Sequence, residues 1–158
     1  DTAGHLGQTL YLREIEGRED GPPPPVDLAT EKRNGDFVRG QIRNGGMTAC
    51  HDVSDGGLLV CIAEMALRGD IGATIQVPET DIPAHAWLFG EDQARYVVTT
   101  RDAPGLLAAA EEAGVPALQI GLTGGAGLSL LGGPRETALT ALRDINERWL
   151  PEFMSMEL

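Results

Sequence analysis

The segment TACHDVSDGGLLVCIAEMAL, residues 48–67, constrains the fold of this chain more than any other. A short apolar run leads into the polar stretch HDVSD, and two glycines then lead into a long apolar run. In the longer apolar stretch, Leu58, Ile62 and Met65 recur at spacings of four and three, which predicts a largely buried helix. The short run predicts a buried strand. The segment therefore predicts a strand that passes through a polar loop into a helix.

The polar loop places useful chemical groups at the start of the predicted helix. A helix N-terminus offers about four unpaired N–H groups and roughly half a positive charge, and glycines there let an anion approach the backbone. Two interpretations stay open. Ser54 or Asp55 could cap the first turn, or the loop could bind a phosphate or another substrate group. The candidate phosphate- or substrate-binding residues are His51, Asp52, Ser54, Asp55, Gly56 and Gly57.

A second polar cluster, LFGEDQARYVV at residues 88–98, adjoins another predicted strand. Its side chains could bind a cation, a ribose or a phosphate, or could form a solvated surface turn. Carboxylates of both clusters could share Mg²⁺, which prefers oxygen ligands and often accompanies nucleotide phosphates. Zinc is disfavoured because no second His or Cys lies at ligand spacing, and no nucleophile elbow surrounds Ser54. The candidate cleft-lining residues are Glu91, Asp92, Gln93 and Arg95.

Four consecutive prolines, Pro22 to Pro25, interrupt the N-terminal part of the chain. Proline fixes φ and cannot donate a hydrogen bond, so this stretch predicts a stiff, extended connector. Asp27 directly after it can cap the next helix. We therefore predict an upstream strand and Pro-rich connector over residues 1–26, and a C-terminal α/β domain over residues 27–158.

The remaining patterns predict strands and helices that mix without strict βαβ alternation. Strands are predicted at residues 6–15, 71–77 and 94–100, with a further strand pair at 117–123 and 127–132 around two glycines. Helices are predicted at residues 28–45 and 103–114, and a last helix has Pro134 in its first turn and Ala138, Leu142, Ile145 and Trp149 on one face. This order predicts a layered α+β fold with a mixed, mostly antiparallel sheet.

Composition excludes several classes of function. The formal net charge of −12 makes nucleic acid and anionic lipid unfavourable partners. The sequence contains no run of about 18 apolar residues and no signal-peptide pattern, which predicts a cytoplasmic protein. Its two cysteines lie in apolar runs, which predicts buried thiols rather than a disulfide framework. Because the chain begins with Asp rather than Met, we expect a piece of a longer protein.

Four motifs in order, TACHDVSDGGLLVCIAEMA, GATI, LFGEDQARYVV and the terminal INERWLPEFM, resemble the C-terminal part of the phosphoribosylformylglycinamidine synthase family of purine biosynthesis. The stretch over residues 6–45 is similar to the family sequence just upstream. The resemblance therefore covers nearly the whole chain. Any one motif alone would be weak, but several in the same order are specific.

The resemblance implies a fold shared with aminoimidazole ribonucleotide synthetase and related ATP-using enzymes, in which this chain matches the last C-terminal α/β domain. It implies a ligase that converts formylglycinamide ribonucleotide, ATP and glutamine-derived ammonia to formylglycinamidine ribonucleotide, ADP and phosphate. ATP and Mg²⁺ are the implied cofactors of the complete enzyme. The family's catalytic histidine and main magnesium ligands lie in upstream segments, so residues 1–158 alone are expected to be inactive.

The resemblance also implies positions and partners. Residues His51 to Gly57 would face a cleft beside a phosphate-bearing ligand, and residues Glu91 to Arg95 would line the same cleft. The implied partners are the remainder of the synthetase chain, a glutaminase subunit and a small accessory subunit, since an end at SMEL shortly after WLPEFM favours the separate-subunit form.

Two alternatives remain. The first is the matching domain of a related ATP-using enzyme, such as a kinase or selenophosphate synthetase, which HDVSDGG and WLPEFM disfavour. The second is a purely structural domain that supports the catalytic half and binds no ligand.

Overall fold

The computed structural model describes residues 2–133 and 136–155. The chain divides into two compact units: one comprises Asp1–Ile62 and Val77–Gln119, and the other comprises Ala63–Gln76 and Ile120–Leu158. Helix α3 begins in the first unit and ends in the second. The boundary predicted after residue 26 stays a prediction.

The first unit contains helices and one small sheet. Its helices are α1 (Leu10–Ile15), α2 (Leu28–Arg43), the first part of α3 (Gly57–Gly69), α4 (Ala84–Phe89) and α5 (Ala103–Glu112). Its strands β1 (Ala49–Asp52) and β3 (Tyr96–Thr99) pair antiparallel. The buried apolar side chains of this unit are Val38, Val53, Leu58, Cys61, Ile62, Ala86, Trp87, Leu88, Ala110 and Val115.

The predicted strand at residues 6–15 is wrong, because Leu10–Ile15 forms helix α1. Thr9 caps this helix: its hydroxyl accepts from the Leu12 N–H at 3.4 Å and donates to the Leu6 carbonyl at 2.7 Å. The Tyr11 ring stacks on the Phe89 ring at a centroid distance of 5.2 Å. Strand propensity depends strongly on context, and here the cap and the aromatic packing favour a helix.

Replacing Thr9 by Val should lower the free energy of unfolding by about 1–3 kcal/mol, because the side chain is 2% exposed and its hydroxyl is replaced by a methyl group among buried polar partners. Urea titration of the chain measures the change. Thr48→Val is the matched control, since the Thr48 hydroxyl meets the Thr99 hydroxyl at an exposed position, and we expect less than about 0.5 kcal/mol there. Equal losses for the two variants would contradict the capping role of Thr9.

The predicted helices at residues 28–45 and 103–114 are confirmed as α2 and α5. The predicted cap of α2 is also confirmed: the Asp27 carboxylate accepts from the Ala29 N–H at 3.0 Å and the Thr30 N–H at 3.2 Å. Hydrogen bonds from Thr30, from its side chain first and then its backbone, lower the pKa of Asp27. The capping pattern in the sequence was sufficient because all of its partners lie within three residues.

The second unit contains a four-stranded sheet in the order β4-β2-β5-β6, formed by β2 (Ala73–Ile75), β4 (Gly121–Thr123), β5 (Gly127–Leu130) and β6 (Thr137–Ala138). Strand β2 runs antiparallel to β4 and parallel to β5. The predicted direct pairing of residues 117–123 with 127–132 is therefore wrong, because β2 lies between them. A turn signal between two strands favours a hairpin, but the sheet places a distant strand there.

The last helix, α6 (Leu139–Ser155), begins later than predicted. Ala138 belongs to β6 and pairs with Gly127, so it is not part of the helical face. Ile145 and Trp149 are 67% and 64% exposed in this structure. Pro134, predicted in the first turn, lies outside the described residues. The predicted helix is confirmed, but its predicted start and apolar face are not.

The α+β class with mixed, mostly antiparallel pairing is confirmed, and the pairing is divided between two sheets. The predicted order of strand, loop and helix is also confirmed, with β1 ending at Asp52 and α3 beginning at Gly57. The predicted burial of the strand is wrong, because Ala49 and Asp52 are exposed and the two residues between them are only half-buried. No helix within residues 2–133 and 136–155 is long and apolar enough to cross a membrane.

Candidate functional site

The antiparallel pairing of β1 with β3 brings the two polar clusters together. Asp52 lies opposite Tyr96, and the Val53 N–H donates to the Arg95 carbonyl at 2.9 Å. The loop that follows β1 therefore lies beside the loop that precedes β3. The Asn34 side-chain amide of α2 donates to the Ala94 carbonyl at 3.0 Å and fixes the second loop.

Both loops line one open groove of about 350 Å³ in the first unit. From the two predicted clusters, the groove is lined by Asp52, Ser54, Asp55, Glu91, Gln93 and Arg95. The structure thus brings these six predicted residues into one concave surface. Sequence reasoning missed the rest of the lining, which is Gln8, Pro23, Pro24, Glu31, Val53, Ala94 and Tyr96. Only the pairing of β1 with β3 and the course of the chain from the residues before α1 into α2 could reveal them.

Four of the predicted site residues do not line the groove. The His51 side chain is 35% exposed, and its Nδ1 lies 2.6 Å from the Asp52 carbonyl oxygen, to which Nδ1–H donates. Gly56 and Gly57 are buried. Asp92 points toward the N-terminal segment instead: its carboxylate accepts from the Thr2 hydroxyl, and from the backbone N–H groups of residues 3 and 5, each at 3.3 Å.

The two glycines are required by backbone packing. Gly56 and Gly57 have φ values of +81° and +73°, which L-residues with side chains rarely adopt. A Cβ at Gly57 would lie 2.6 Å from the Phe89 carbonyl carbon and 2.9 Å from the Gly90 oxygen. The sequence suggested that these glycines admit an anion, but the close neighbour of Gly57 is the C-terminal end of α4.

The hydrogen-bond acceptors of the N–H groups at the start of α3 also differ from those predicted. The Gly56 N–H donates to the Glu91 carboxylate at 2.8 Å, and the Gly57 N–H donates to the Ser54 carbonyl at 3.0 Å. Within the described ranges, the Ser54 and Asp55 side chains make no hydrogen bond to this turn. Glu91, 35 residues further along the chain, takes the position that a local cap was predicted to fill.

Two largely buried charges hold the second loop together. Arg95 and Asp92 side chains are 9% and 13% exposed, and their closest atoms lie 3.9 Å apart. The Arg95 guanidinium also donates to the Gly90 carbonyl at 3.1 Å. Burial lowers the pKa of Arg95, and the Asp92 carboxylate opposes this. Burial also opposes ionisation of Asp92, but hydrogen bonds from Thr2, His5 and Ala3 make its net pKa lower than usual. Arg95 is therefore already engaged within the loop.

The groove itself is strongly acidic. Four carboxylates line it, and Arg95 is the cation in its lining. The acidic residues are Glu31, Asp52, Asp55 and Glu91. A bare phosphate would meet net negative charge here, because like charges repel most strongly where water is partly excluded. The groove suits a cation, hydroxyl or N–H donors, or a phosphate that arrives together with a cation.

The thiols contribute no nucleophile to this groove. Burial first, and then the nearby Asp52 carboxylate, raise the pKa of Cys50, so its thiolate is disfavoured. No disulfide joins Cys50 to Cys61, and Cys61 is 2% exposed whereas Cys50 is half-buried. The prediction of buried thiols is thus confirmed fully for Cys61 only.

The family of the chain follows from its sequence match. The family model described as "AIR synthase related protein, C-terminal domain" matches residues 2–130, and this chain belongs to that family. Curated relatives make the likeness more specific. The chain is 57% identical over 158 residues to phosphoribosylformylglycinamidine synthase subunit PurL of Rhodopseudomonas palustris strain BisA53, and 55% identical over 159 residues to the same subunit of Parvibaculum lavamentivorans. Each alignment covers 98% of this chain and 21% of the relative, so the chain spans about a fifth of their length.

Solved structures show the same fold. PurL of Thermotoga maritima complexed with ATP aligns with a TM-score of 0.65 and 18% identity, covering 87% of this chain and 24% of that one. The same protein complexed with FGAR aligns with a TM-score of 0.64 and 20% identity, and the alignment covers 74% of this chain and 21% of that one. At these identities the likeness establishes the fold alone.

Proposed function

We propose that this chain is the C-terminal domain of an ATP-dependent ligase that converts formylglycinamide ribonucleotide, ATP and glutamine-derived ammonia to formylglycinamidine ribonucleotide, ADP and phosphate. The observation that carries this is 57% identity to a PurL subunit along 98% of the chain. Two of the four motifs that indicated the family contain HDVSDGG and GEDQAR, and these two stretches flank one groove in the structure. The reaction belongs to de novo purine biosynthesis in the cytoplasm.

In this proposal the groove binds a phosphate-bearing ligand. The exposed carboxylates of Asp52 and Asp55 would hold a cation between themselves and the phosphate. The Ser54 hydroxyl would donate a hydrogen bond to a phosphate oxygen. This differs from a direct anion cradle, because Glu91 already accepts the Gly56 N–H. His51 does not line the groove and would act indirectly, by fixing the Asp52 main chain.

Mg²⁺ fits this arrangement only when the phosphate-bearing ligand of the groove is bound as well. Within residues 2–133 and 136–155, no three His, Cys, Asp or Glu side chains converge as a metal site. Mg²⁺ commonly uses one or two carboxylates, several waters and substrate phosphates. Asp52 and Asp55 would supply those carboxylates, and Mg²⁺ would supply neutralisation of the phosphate charge. The remaining steps require the rest of the synthetase chain, with a glutaminase subunit and a small accessory subunit as further partners.

Nucleotide binding by the full-length protein tests the proposal. Asp52→Asn should weaken binding of ADP in the presence of Mg²⁺ by about tenfold, the effect of roughly 1.4 kcal/mol, with little change when EDTA removes the metal. Isothermal titration calorimetry gives both the affinity and the number of sites. Asp81→Asn is the matched control, because Asp81 is exposed and does not line the groove.

Unchanged affinity and unchanged stoichiometry for Asp52→Asn would contradict the proposal. That result would favour the alternative of a structural domain that binds no ligand. A loss of binding that is the same with and without Mg²⁺ would instead assign Asp52 to a ribose hydroxyl or another hydrogen-bond donor.

A further inference from the structure

The Glu91 side chain joins two distant parts of the first unit. Its Oε1 accepts a hydrogen bond from the Gly56 N–H at 2.8 Å and another from the Leu10 N–H at 2.9 Å. Gly56 precedes α3, and Leu10 begins α1. One carboxylate oxygen therefore holds the start of a helix on one side and the polar loop of the groove on the other.

Glu91 is itself held firmly. Its backbone N–H donates to the His5 carbonyl at 3.1 Å. The next residue, Asp92, binds the N-terminal segment through the Thr2 hydroxyl and lies 3.9 Å from the buried Arg95 guanidinium. A side chain that extends from so constrained a backbone has few alternative positions. Its hydrogen bonds therefore fix the positions of the two N–H groups that donate to it.

The Gly56 N–H depends on this acceptor. Gly56 is buried, with φ of +81°, and the neighbouring Ser54 and Asp55 side chains make no hydrogen bond to the turn within the described residues. A buried N–H that loses its acceptor carries an unfavourable desolvation cost. The loop would respond to that loss by moving Gly56 toward water, and Asp55 would move with it.

We propose that Glu91 is a positioning residue, whose carboxylate sets the backbone of residues 54–56 so that Asp55 presents its carboxylate to the ligand of the groove. This inference rests on the proposed function of that groove. Glu91 acts through the loop and needs no contact with the ligand. Oε1 of its carboxylate already accepts from two backbone donors.

Three variants of the full-length enzyme test this assignment. Glu91→Ala removes the acceptor, whereas Glu91→Gln keeps a side-chain oxygen that can accept. Gln93→Ala is the control, because Gln93 lines the same groove, is exposed, and holds neither N–H group. The measurements are amide hydrogen exchange of the peptide covering residues 53–60, and kcat and KM for ATP at saturating formylglycinamide ribonucleotide and ammonia.

For Glu91→Ala we expect about tenfold or faster exchange of the peptide 53–60, because a hydrogen bond to a charged group is lost, together with a KM for ATP raised about tenfold. Glu91→Gln should stay within about threefold of the wild type in both measurements, since its oxygen restores the acceptor. Gln93→Ala should leave the exchange of this peptide unchanged.

Each other outcome overturns the assignment in a distinct way. Unchanged exchange in Glu91→Ala removes the positioning role and leaves the proposed function standing. Faster exchange with unchanged kcat and KM shows that the loop is not used by the ligand, and therefore also counts against the proposed function. Normal exchange with equal kinetic damage in Glu91→Gln and Glu91→Ala assigns the carboxylate to the ligand directly.

Glu91→Asp decides the matter if Glu91→Ala gives no folded enzyme. It keeps the charge on a side chain one methylene shorter, which cannot reach both N–H groups from the same backbone position. Faster exchange of the peptide 53–60 with a raised KM supports positioning. Wild-type values for both measurements overturn it.

Discussion

Gly57→Ala should lower the free energy of unfolding by about 2–5 kcal/mol, which combines the cost of a left-handed backbone at a residue with a side chain and the cost of overpacking. The φ of Gly57 is +73°. The added Cβ would lie 2.6 Å from the Phe89 carbonyl carbon and 2.7 Å from its Cα, both of them backbone atoms that cannot rotate away. The loop and the C-terminal end of α4 would have to separate.

Gly45→Ala is the matched control for this experiment. Its φ is +71°, but a Cβ there would meet nothing within 4 Å, so only the conformational cost of about 1–2 kcal/mol applies. Urea unfolding followed by tryptophan fluorescence measures both variants. In a Trp149→Phe background, the remaining tryptophan is Trp87, which is 6% exposed in α4 and reports on the first unit.

Equal losses for Gly57→Ala and Gly45→Ala would contradict the close packing of the loop against Phe89. In that case the glycine pair would be required by its backbone conformation alone, and an opening for an anion beside Gly57 would again be the better interpretation.

Under the proposed function, Asp52→Asn and Asp55→Asn should each reduce ammonia-dependent turnover of the full-length protein by about 100-fold, the usual scale for one lost electrostatic contact at the site of charge development. Thermal midpoints should stay unchanged. Both side chains are exposed, and the Asp55 carboxylate makes no hydrogen bond within the described part of the chain. Neither carboxylate therefore contributes much to folding, and a loss of turnover would report on the chemistry.

Turnover and thermal midpoint are recorded together on the same preparations, with Asp81→Asn as the control for loss of one surface charge. A lower midpoint with intact turnover would make HDVSDGG a structural loop, and the site would have to be sought elsewhere. Loss of turnover in Asp81→Asn to the same extent would show that the effect belongs to net charge rather than to the groove.

The sequence alone predicted the elements whose determinants are local. Asp27 and the two N–H groups that donate to it lie within one turn. The predicted stripe of α3 is buried at Leu58 and Ile62 and half-buried at Met65. The order of β1, polar loop and α3 could be predicted because consecutive residues of one segment determine all three. The family was also accessible, since the order of several motifs carries more information than any one of them.

Tertiary structure alone decided the features that depend on distant residues. Leu10–Ile15 forms a helix because Thr9, Phe89 and Glu91 stabilise it, and β2 separates β4 from β5 because sheet order follows from pairing energies along the whole chain. The most consequential case is the loop before α3. Its sequence predicted a local cap by Ser54 or Asp55, but Glu91 accepts the Gly56 N–H from 35 residues away. A carboxylate held in place by its own packed backbone competes well with a nearby side chain that is free to face solvent, and no spacing rule within the loop could show where that carboxylate would lie.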